Sequence, residues 1–233
     1  MVEAILSGAV TDDPQLGRTT VEGRCADCGR ALDIQWENGS VEMLCQSCER
    51  RWERSWGRVG GPQEAPEGYL GRLPFPPAGL EHRSPSEILQ TAYLWTNLEL
   101  LAVASGLCPR CAATVERELH ICDDHDSENG PCSVCGAQHA VRLSATCTNC
   151  IYSVGCTAAW GTLPSPELLA FLFEHDLNPL APTSVHRLDQ VLNGYEEAIH
   201  SRDPFRATFE FAVDGDSLRL DVDETLSVVE TTR

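Results

Sequence analysis

Cysteine spacing is the strongest constraint on what this chain can fold into. Of its 12 cysteines, eleven fall into five Cys-x2-Cys pairs and one Cys-x2-His pair. A two-residue gap lets both side chains of a pair reach one metal ion, and four thiolate or imidazole donors suit tetrahedral zinc. No positively charged secretory segment opens the chain, and a reducing compartment keeps thiols unpaired. The spacing therefore predicts a cytoplasmic, zinc-binding protein rather than a disulfide-bonded one.

The first four cysteines predict one zinc ribbon. They are Cys25, Cys28, Cys45 and Cys48. Between the two pairs, apolar and polar residues alternate on both sides of Asn38-Gly39, a dipeptide typical of type I′ hairpin turns. The order of a metal-binding turn, a hairpin and a second metal-binding turn is that of a zinc ribbon.

The second cluster holds eight donors, enough for two tetrahedral sites and three zinc ions in all. The donors are Cys108, Cys111, Cys122, His125, Cys132, Cys135, Cys147 and Cys150. We favour sequential pairing, in which the first four share one ion and the last four share another, because it closes the shorter loops. Loop-closure entropy changes by only about 0.6 kcal/mol per doubling of length. A crossed arrangement therefore stays open, in which the outer two pairs share one ion and the inner two share the other.

The remaining candidate ligands are weaker. His120 and His139 flank the second cluster, and we expect both to be surface residues rather than ligands. Cys156 belongs to no pair and is expected to be a buried small apolar residue. Every predicted site is filled by four protein donors, which is typical of structural rather than catalytic zinc. Without a recognisable nucleophile, phosphate loop or paired carboxylates, we expect no enzymatic activity, and a metal-dependent hydrolase is disfavoured.

The rest of the chain predicts helices and a meander. Ser84, Pro85 and Glu87 form the start of a helix with a capping box, and a second helix is expected over residues 165–175. Alternating segments separated by Asn193-Gly194 and Asp214-Gly215 predict a C-terminal meander whose first strand covers residues 185–192. A helix over residues 188–199 fits the same apolar spacing. The predicted fold class is α+β: small rubredoxin-like zinc-ribbon modules, a helix and an antiparallel β-meander.

These patterns divide the chain into five segments. They are a residual helix and linker (1–22), the first zinc ribbon (23–58), a Pro/Gly-rich linker with a helix (59–106), the double zinc-ribbon cluster (107–160), and a helix with the C-terminal meander (161–233).

Charge limits the partners of the chain. Thirty-five acidic residues face 17 basic ones, all of them Arg, for a formal charge of −18. Eleven thiolates and three Zn²⁺ ions bring the charge to about −23. Such a surface suits multimolar salt, where the repulsion between its acidic side chains is screened. It repels the phosphates of DNA. Residues 50–58 interleave Arg with Trp, but their acidic residues favour an amphipathic turn over a nucleic-acid surface. No apolar run reaches the length of a membrane span.

The sequence resembles the region that follows the winged helix in haloarchaeal ArsR-type transcriptional regulators. The resemblance covers nearly the whole chain. Besides the cysteines, it rests on Val2-Glu3-Ala4-Ile5-Leu6-Ser7-Gly8, Thr11-Asp12-Asp13-Pro14, Pro74-Phe75-Pro76-Pro77-Ala78-Gly79-Leu80 and Ser201-Arg202-Asp203-Pro204-Phe205. It implies that the last helix of a winged-helix domain runs into Val2 to Val10, and that the DNA-contacting domain itself is missing from this chain.

Two functions follow as hypotheses. The first is a non-enzymatic, zinc-stabilised regulatory or interaction domain of a transcription regulator, acting through a protein partner or a DNA-binding domain outside this chain. The second is a cytoplasmic redox or metal sensor, since four-thiolate sites also hold iron and release zinc on oxidation. The sequence leaves open whether the chain forms a homodimer.

Overall fold

A computed structural model describes residues 16–25, 28–48, 68–127, 132–181 and 185–233. These residues form an α+β fold with three antiparallel sheets and three α-helices, which confirms the predicted fold class. The strands are β1 (Leu16–Arg24), β2 (Ala31–Glu37), β3 (Ser40–Cys45), β4 (Tyr69–Pro74), β5 (Val115–Ile121), β6 (Val141–Cys147), β7 (Ser153–Thr157), β8 (Glu196–Arg202), β9 (Phe205–Val213), β10 (Asp216–Val222) and β11 (Val228–Thr232). The helices are α1 (Pro85–Ala104), α2 (Pro166–Glu174) and α3 (Val185–Asn193), with 3-10 helices at Pro77–Leu80 and Ala158–Thr162.

The N-terminal sheet has the order β1-β2-β3-β4 and is built around the predicted hairpin. Asn38 and Gly39 connect β2 to β3 with φ of 51° and 78°, the left-handed pair that a type I′ turn requires. Two segments differ from expectation. Leu16–Arg24 forms a strand where a linker was expected up to residue 22, and Tyr69–Pro74 forms a strand in the linker that the Pro and Gly content predicted to be irregular. Both strands extend a two-stranded hairpin, which is marginal by itself, to four strands.

Helix α1 covers the N-terminal sheet. Its capping box is present as predicted: the Ser84 hydroxyl accepts the Glu87 amide at 3.4 Å, and the Glu87 carboxylate accepts the Ser84 amide at 2.8 Å. The buried residues Ile88, Leu89 and Ala92 pack in one core with the sheet. The C-terminal end of the helix packs on the central sheet, where Val103 shares a core with Val115 and Ala145.

The central sheet has the order β5-β6-β7. Strands β5 and β6 pair without a register shift, from Val115 opposite Cys147 to Ile121 opposite Val141. The connection between them, residues 122–140, contains four of the predicted ligands. The β5–β6 hairpin thus has a tip, formed by this connection, and a base at the opposite end of the ladder, where Val115 pairs with Cys147.

The C-terminal sheet has the order β11-β10-β9-β8 and forms a meander, as predicted. Residues 185–192 were expected to be its first strand, whereas Val185–Asn193 is helix α3. The alternative helical spacing was right as far as Asn193. Leu188, Val191 and Leu192 are buried on one face, so the 3.6-residue period prevails over the Asn-Gly turn signal. Helix α2 starts at the predicted Ser165 cap, whose hydroxyl accepts the Leu168 amide at 3.2 Å.

Several expectations fall outside the described residues. They concern the residual helix of residues 1–15, the Arg- and Trp-rich segment 50–58, and residues 60–67 of the Pro/Gly-rich linker. Within the described ranges, no helix combines the length and the apolar character needed to cross a membrane.

Candidate metal centres

All twelve predicted ligands come together in three groups of four, and the donor atoms of each group lie within 4.8 Å of one another. We name the groups by position. They are the N-terminal site (Cys25, Cys28, Cys45, Cys48), the base site (Cys108, Cys111, Cys147, Cys150) and the tip site (Cys122, His125, Cys132, Cys135). Each set could hold one metal ion and is compatible with zinc.

The N-terminal site joins the end of β1 to the end of β3. The Sγ atoms of Cys25 and Cys48 are 3.6 Å apart, and those of Cys28 and Cys45 are 3.4 Å apart. Four sulfurs placed 2.3 Å from one ion would be separated by about 3.8 Å. The thiols are therefore already close to the spacing of a tetrahedral site, as the predicted ribbon requires.

The base site overturns the sequential pairing that we favoured. Cys108 Sγ lies 3.7 Å from Cys150 Sγ, and Cys111 Sγ lies 3.5 Å from Cys147 Sγ. The outer two pairs of the second cluster therefore share one site, and the inner two share the other. This is the crossed arrangement.

The length of β5 explains the correction. Seven extended residues span about 20 Å. This strand separates Cys111 from Cys122, so their side chains cannot reach the same ion. The antiparallel ladder instead brings Cys147 back beside the start of β5, where Val115 pairs with it.

The tip site contains the one imidazole among the twelve ligands. His125 Nδ1 lies 3.4 Å from Cys135 Sγ, and Nε2 lies 3.0 Å from the Gln138 carbonyl oxygen. Because a carbonyl only accepts, Nε2 carries the proton and donates it, which leaves the Nδ1 lone pair facing the thiols. A backbone carbonyl that fixes the tautomer of a histidine in this way is typical of metal ligation.

One Cys-x2-Cys pair of each site forms the same tight turn. The amides of Gly29, Ala112 and Gly136 donate to the carbonyls of Cys25, Cys108 and Cys132 at 2.7–2.9 Å. These three residues have φ of 68°, 57° and 69°, so each turn ends in a left-handed residue directly after its second cysteine. In such turns, backbone amides point toward a cysteine sulfur. The Val134 amide, for example, lies 3.4 Å from Cys132 Sγ.

Backbone amides also set the ionisation of the thiols. In each site one cysteine has a depressed pKa, because amide donors favour its thiolate. A backbone hydrogen bond from Arg30 is the main cause that lowers the pKa of Cys28 to about 7. Backbone hydrogen bonds from Asn149 and Asp126 are likewise the main causes that lower the pKa of Cys147 and of Cys132, each to about 6. Each site thus already favours the anionic form of one ligand.

The other three candidates lie outside the metal groups. His120 is exposed, as expected, and its ring contacts the Ser144 hydroxyl at 2.8 Å. His139 was expected at the surface but is buried: its Nε2 donates to the Asn193 carbonyl at 2.9 Å, and its ring stacks on Tyr195 at 3.9 Å. Cys156 is partly buried, and burial raises the pKa of its thiol to about 12, so it stays protonated.

Sequence reasoning missed a cavity of about 510 Å³ beside helix α1. It is lined by Thr96, Asn97 and Glu99 of that helix, by Tyr152 just before β7, and by residues of the N-terminal sheet and α3. Glu99 is the only charged residue of the sequence between Tyr93 and Cys108. The one signal available was a charged residue inside an otherwise apolar run.

Comparison with known proteins gives one family. Neither the curated proteins nor the solved structures contain a match to the chain. The model of the DUF7351 family, described as a domain of unknown function, matches residues 22–228. The match includes all three candidate metal sites and most of the chain, and the protein belongs to the DUF7351 family.

Proposed function

We propose that the protein is a non-enzymatic, zinc-stabilised regulatory and interaction domain that works in transcription, in the cytoplasm. The observation that supports this most is the closure of the metal groups. Each has four protein donors within 4.8 Å, which leaves no coordination position for a substrate or a catalytic water. The expected role of the metal is to hold the fold.

The position of the sites supports a scaffolding role. Each joins chain ends that the sheets alone leave apart: the N-terminal site ties β1 to β3, and the base and tip sites clamp both ends of the β5–β6 ladder. Three zinc ions would therefore stabilise a central hairpin and its N-terminal neighbour. That architecture presents surfaces rather than an active site.

Charge favours a protein partner over direct DNA contact. The chain has no Lys and a formal charge of −18. Since non-specific DNA affinity depends on cationic contacts with phosphate, this chain by itself is a poor DNA ligand. The resemblance to ArsR-type regulators supports the further proposal that DNA contact is made by a winged-helix domain or a protein partner outside these 233 residues.

Two measurements on the same tagged chain test the proposal. Chromatin immunoprecipitation should enrich a limited set of promoters, whereas the purified zinc-loaded chain should not bind those promoters in fluorescence anisotropy at any salt concentration. The variant C111S/C147S should lose the enrichment, while the exposed-site control Glu224→Gln should keep it. Absence of promoter enrichment, or tight binding by the isolated chain, would contradict the proposal.

A second candidate is a redox or metal sensor. Cys28 and Cys111 are exposed although they belong to metal groups, so an oxidant can reach one sulfur in each of two sites. The test is zinc release under one equivalent of hydrogen peroxide per site. A colourless protein that retains three zinc ions after this treatment eliminates the sensor.

A further inference from the structure

The cavity beside helix α1 lies where the N-terminal sheet, the central sheet and helix α3 meet. Its volume of about 510 Å³ is within the range of small-molecule sites. Leu89, Tyr93 and Leu100 form the middle of the helical face that lines it. On this helix, Asn97 and Glu99 lie on the two sides of that face.

One edge holds a buried acceptor without a partner. Asn97 is fully buried, and its Nδ2 donates to the Pro179 carbonyl at 2.7 Å. That bond fixes the amide orientation, because the carbonyl would repel Oδ1. Asn97 Oδ1 is buried with no hydrogen-bond partner, and leaving such an acceptor unpaired costs about 1–3 kcal/mol. A donor from a bound molecule would satisfy it.

The opposite edge holds a buried carboxylate, that of Glu99, and two buried hydroxyls, those of Thr96 and Tyr152. Glu99 is only 6% exposed, and its Oε1 accepts Trp95 Nε1 at 3.1 Å. Thr96 is about one helical turn from Glu99, so their side chains share a face, and Tyr152 lines the same cavity. The hydroxyls of Thr96 and Tyr152 are both buried without partners. This edge is built to accept hydrogen bonds from a cation.

No basic side chain in the described residues forms an ion pair with Glu99. Two arginines line the cavity, Arg24 and Arg72, but both are exposed. Burial raises the pKa of Glu99 to about 7, and the Arg110 guanidinium lies 5.5 Å from the centroid of the Tyr152 ring rather than in an ion pair with this carboxylate. A cationic ligand would supply the missing charge.

We propose that this cavity binds a small organic amine: its ammonium group contacts Glu99, Thr96 and Tyr152, its apolar body crosses the face of α1, and a donor at its far end contacts Asn97 Oδ1. Residues two apart on a helix face nearly opposite directions, so Glu99 and Asn97 mark the two ends of the ligand rather than one contact point. The inference does not depend on the role in transcription. If that role holds, the amine is an effector.

Tyramine is the probe, since it carries an ammonium and a distal hydroxyl on an apolar body. 4-Ethylphenol lacks the ammonium, and 2-phenylethylamine lacks the distal donor. In calorimetric titrations of the zinc-loaded chain at about pH 8, tyramine should bind with 1:1 stoichiometry and at least about tenfold more tightly than either analogue.

Variants assign the two ends. Glu99→Gln keeps the shape and should weaken tyramine at least about tenfold while leaving 4-ethylphenol unchanged. Asn97→Leu should abolish the advantage of tyramine over 2-phenylethylamine. Tyr152→Phe, which removes only a hydroxyl at the ammonium end, should weaken both amines and is a second test of that end. Glu224→Gln, at an exposed position, should change nothing.

Other outcomes overturn the proposal. No tyramine binding at millimolar concentration would show that the cavity holds only water. Equal affinity for tyramine and 4-ethylphenol, or unchanged tyramine affinity in Glu99→Gln, would show that no ammonium is recognised.

Discussion

Val115 lies directly opposite Cys147 in the ladder of β5 and β6. This pairing places Cys147 and Cys150 beside Cys108 and Cys111, about one strand length from the tip site. The register of a single hairpin thus decides which cysteines share an ion. The metal sites in turn fix both ends of that register, since a slip of one residue would reverse every side chain of β5.

The register predicts a specific pattern of zinc loss. C111S/C147S removes two ligands from the base site alone, so the protein should retain two of three zinc ions. C111S/C122S removes one ligand from each of two sites and should retain one ion. Native mass spectrometry in the presence of a competing zinc chelator measures both numbers.

Sequential pairing makes the reverse prediction for these two variants. It would leave one ion in C111S/C147S and two in C111S/C122S. The two double variants therefore serve as controls for each other, and a reversed result would contradict the observed register.

The crossed arrangement could have been read from the sequence. Residues 112–121 contain no Gly, Pro or Asn that would turn the chain between Cys111 and Cys122, whereas residues 123–131 are rich in turn formers, with Asn129-Gly130-Pro131 among them. A continuous strand between two metal-binding pairs excludes their sharing an ion. Loop length, on which we based the sequential pairing, is a weaker criterion than strand length because closure entropy depends only slowly on length.

Local signals predicted the capped helices, the Asn38-Gly39 hairpin and all twelve ligands. Local signals failed where contacts between distant parts of the chain determine which residues are buried. His139 carries no pattern that predicts burial, yet it stacks on Tyr195, 56 positions later. The cavity likewise draws on segments from Gly23 to Gly194, and no local periodicity reports such a juxtaposition.

Zinc removal should unfold only part of the protein. The buried cores of the N-terminal and central sheets include ligand cysteines, such as Cys25, Cys45, Cys108 and Cys147. The core of the C-terminal sheet is the largest, with Phe209, Phe211 and Leu218 fully buried, and none of its fully enclosed members is a ligand. After chelation, hydrogen exchange should accelerate in residues 16–48 and 107–152 but stay slow in β9 and β10.

Mass spectrometry of amide exchange checks this result, with zinc added back as the control for reversibility. Uniform loss of protection would show that the C-terminal sheet depends on the metal. Unchanged protection everywhere would contradict a structural role for zinc.

The metal-binding turns predict opposite effects of two reciprocal substitutions. Ala112 holds φ of 57° where the equivalent turns have glycine, a conformation that costs a residue with a Cβ about 1–2 kcal/mol. Ala112→Gly should therefore raise the free energy of unfolding by roughly 0.5 kcal/mol, after subtracting the entropy that glycine gains in the unfolded chain. Gly136→Ala should lower it by about 1 kcal/mol.

Urea unfolding at saturating zinc measures both changes. Ala113→Gly is the matched control. Ala113 follows the left-handed residue but does not itself have a positive φ, so glycine relieves no strain there and this change should destabilise the protein. If Ala112→Gly destabilised it equally, the left-handed turn would not be the source of the effect.

Glu99 predicts a pH dependence of stability. Burial raises its pKa to about 7 from the usual 4.5 of a glutamate, so the folded state binds the proton more tightly than the unfolded state. Stability should therefore fall as pH rises from about 4.5 to about 7 and stay lower above that, by roughly 3 kcal/mol for this group. Glu99→Gln, which cannot ionise, should be more stable than the wild type by that amount at pH 8 and equal to it near pH 5.

Urea unfolding of both proteins measures this difference. Since both proteins carry the same metal ligands, acid-induced zinc loss cancels in the difference between their unfolding free energies. The control Glu224→Gln should show no such pH dependence. A destabilising effect of Glu99→Gln at pH 8 would mean that a cation of the protein itself already neutralises the carboxylate, and it would remove the reason for an amine in the cavity.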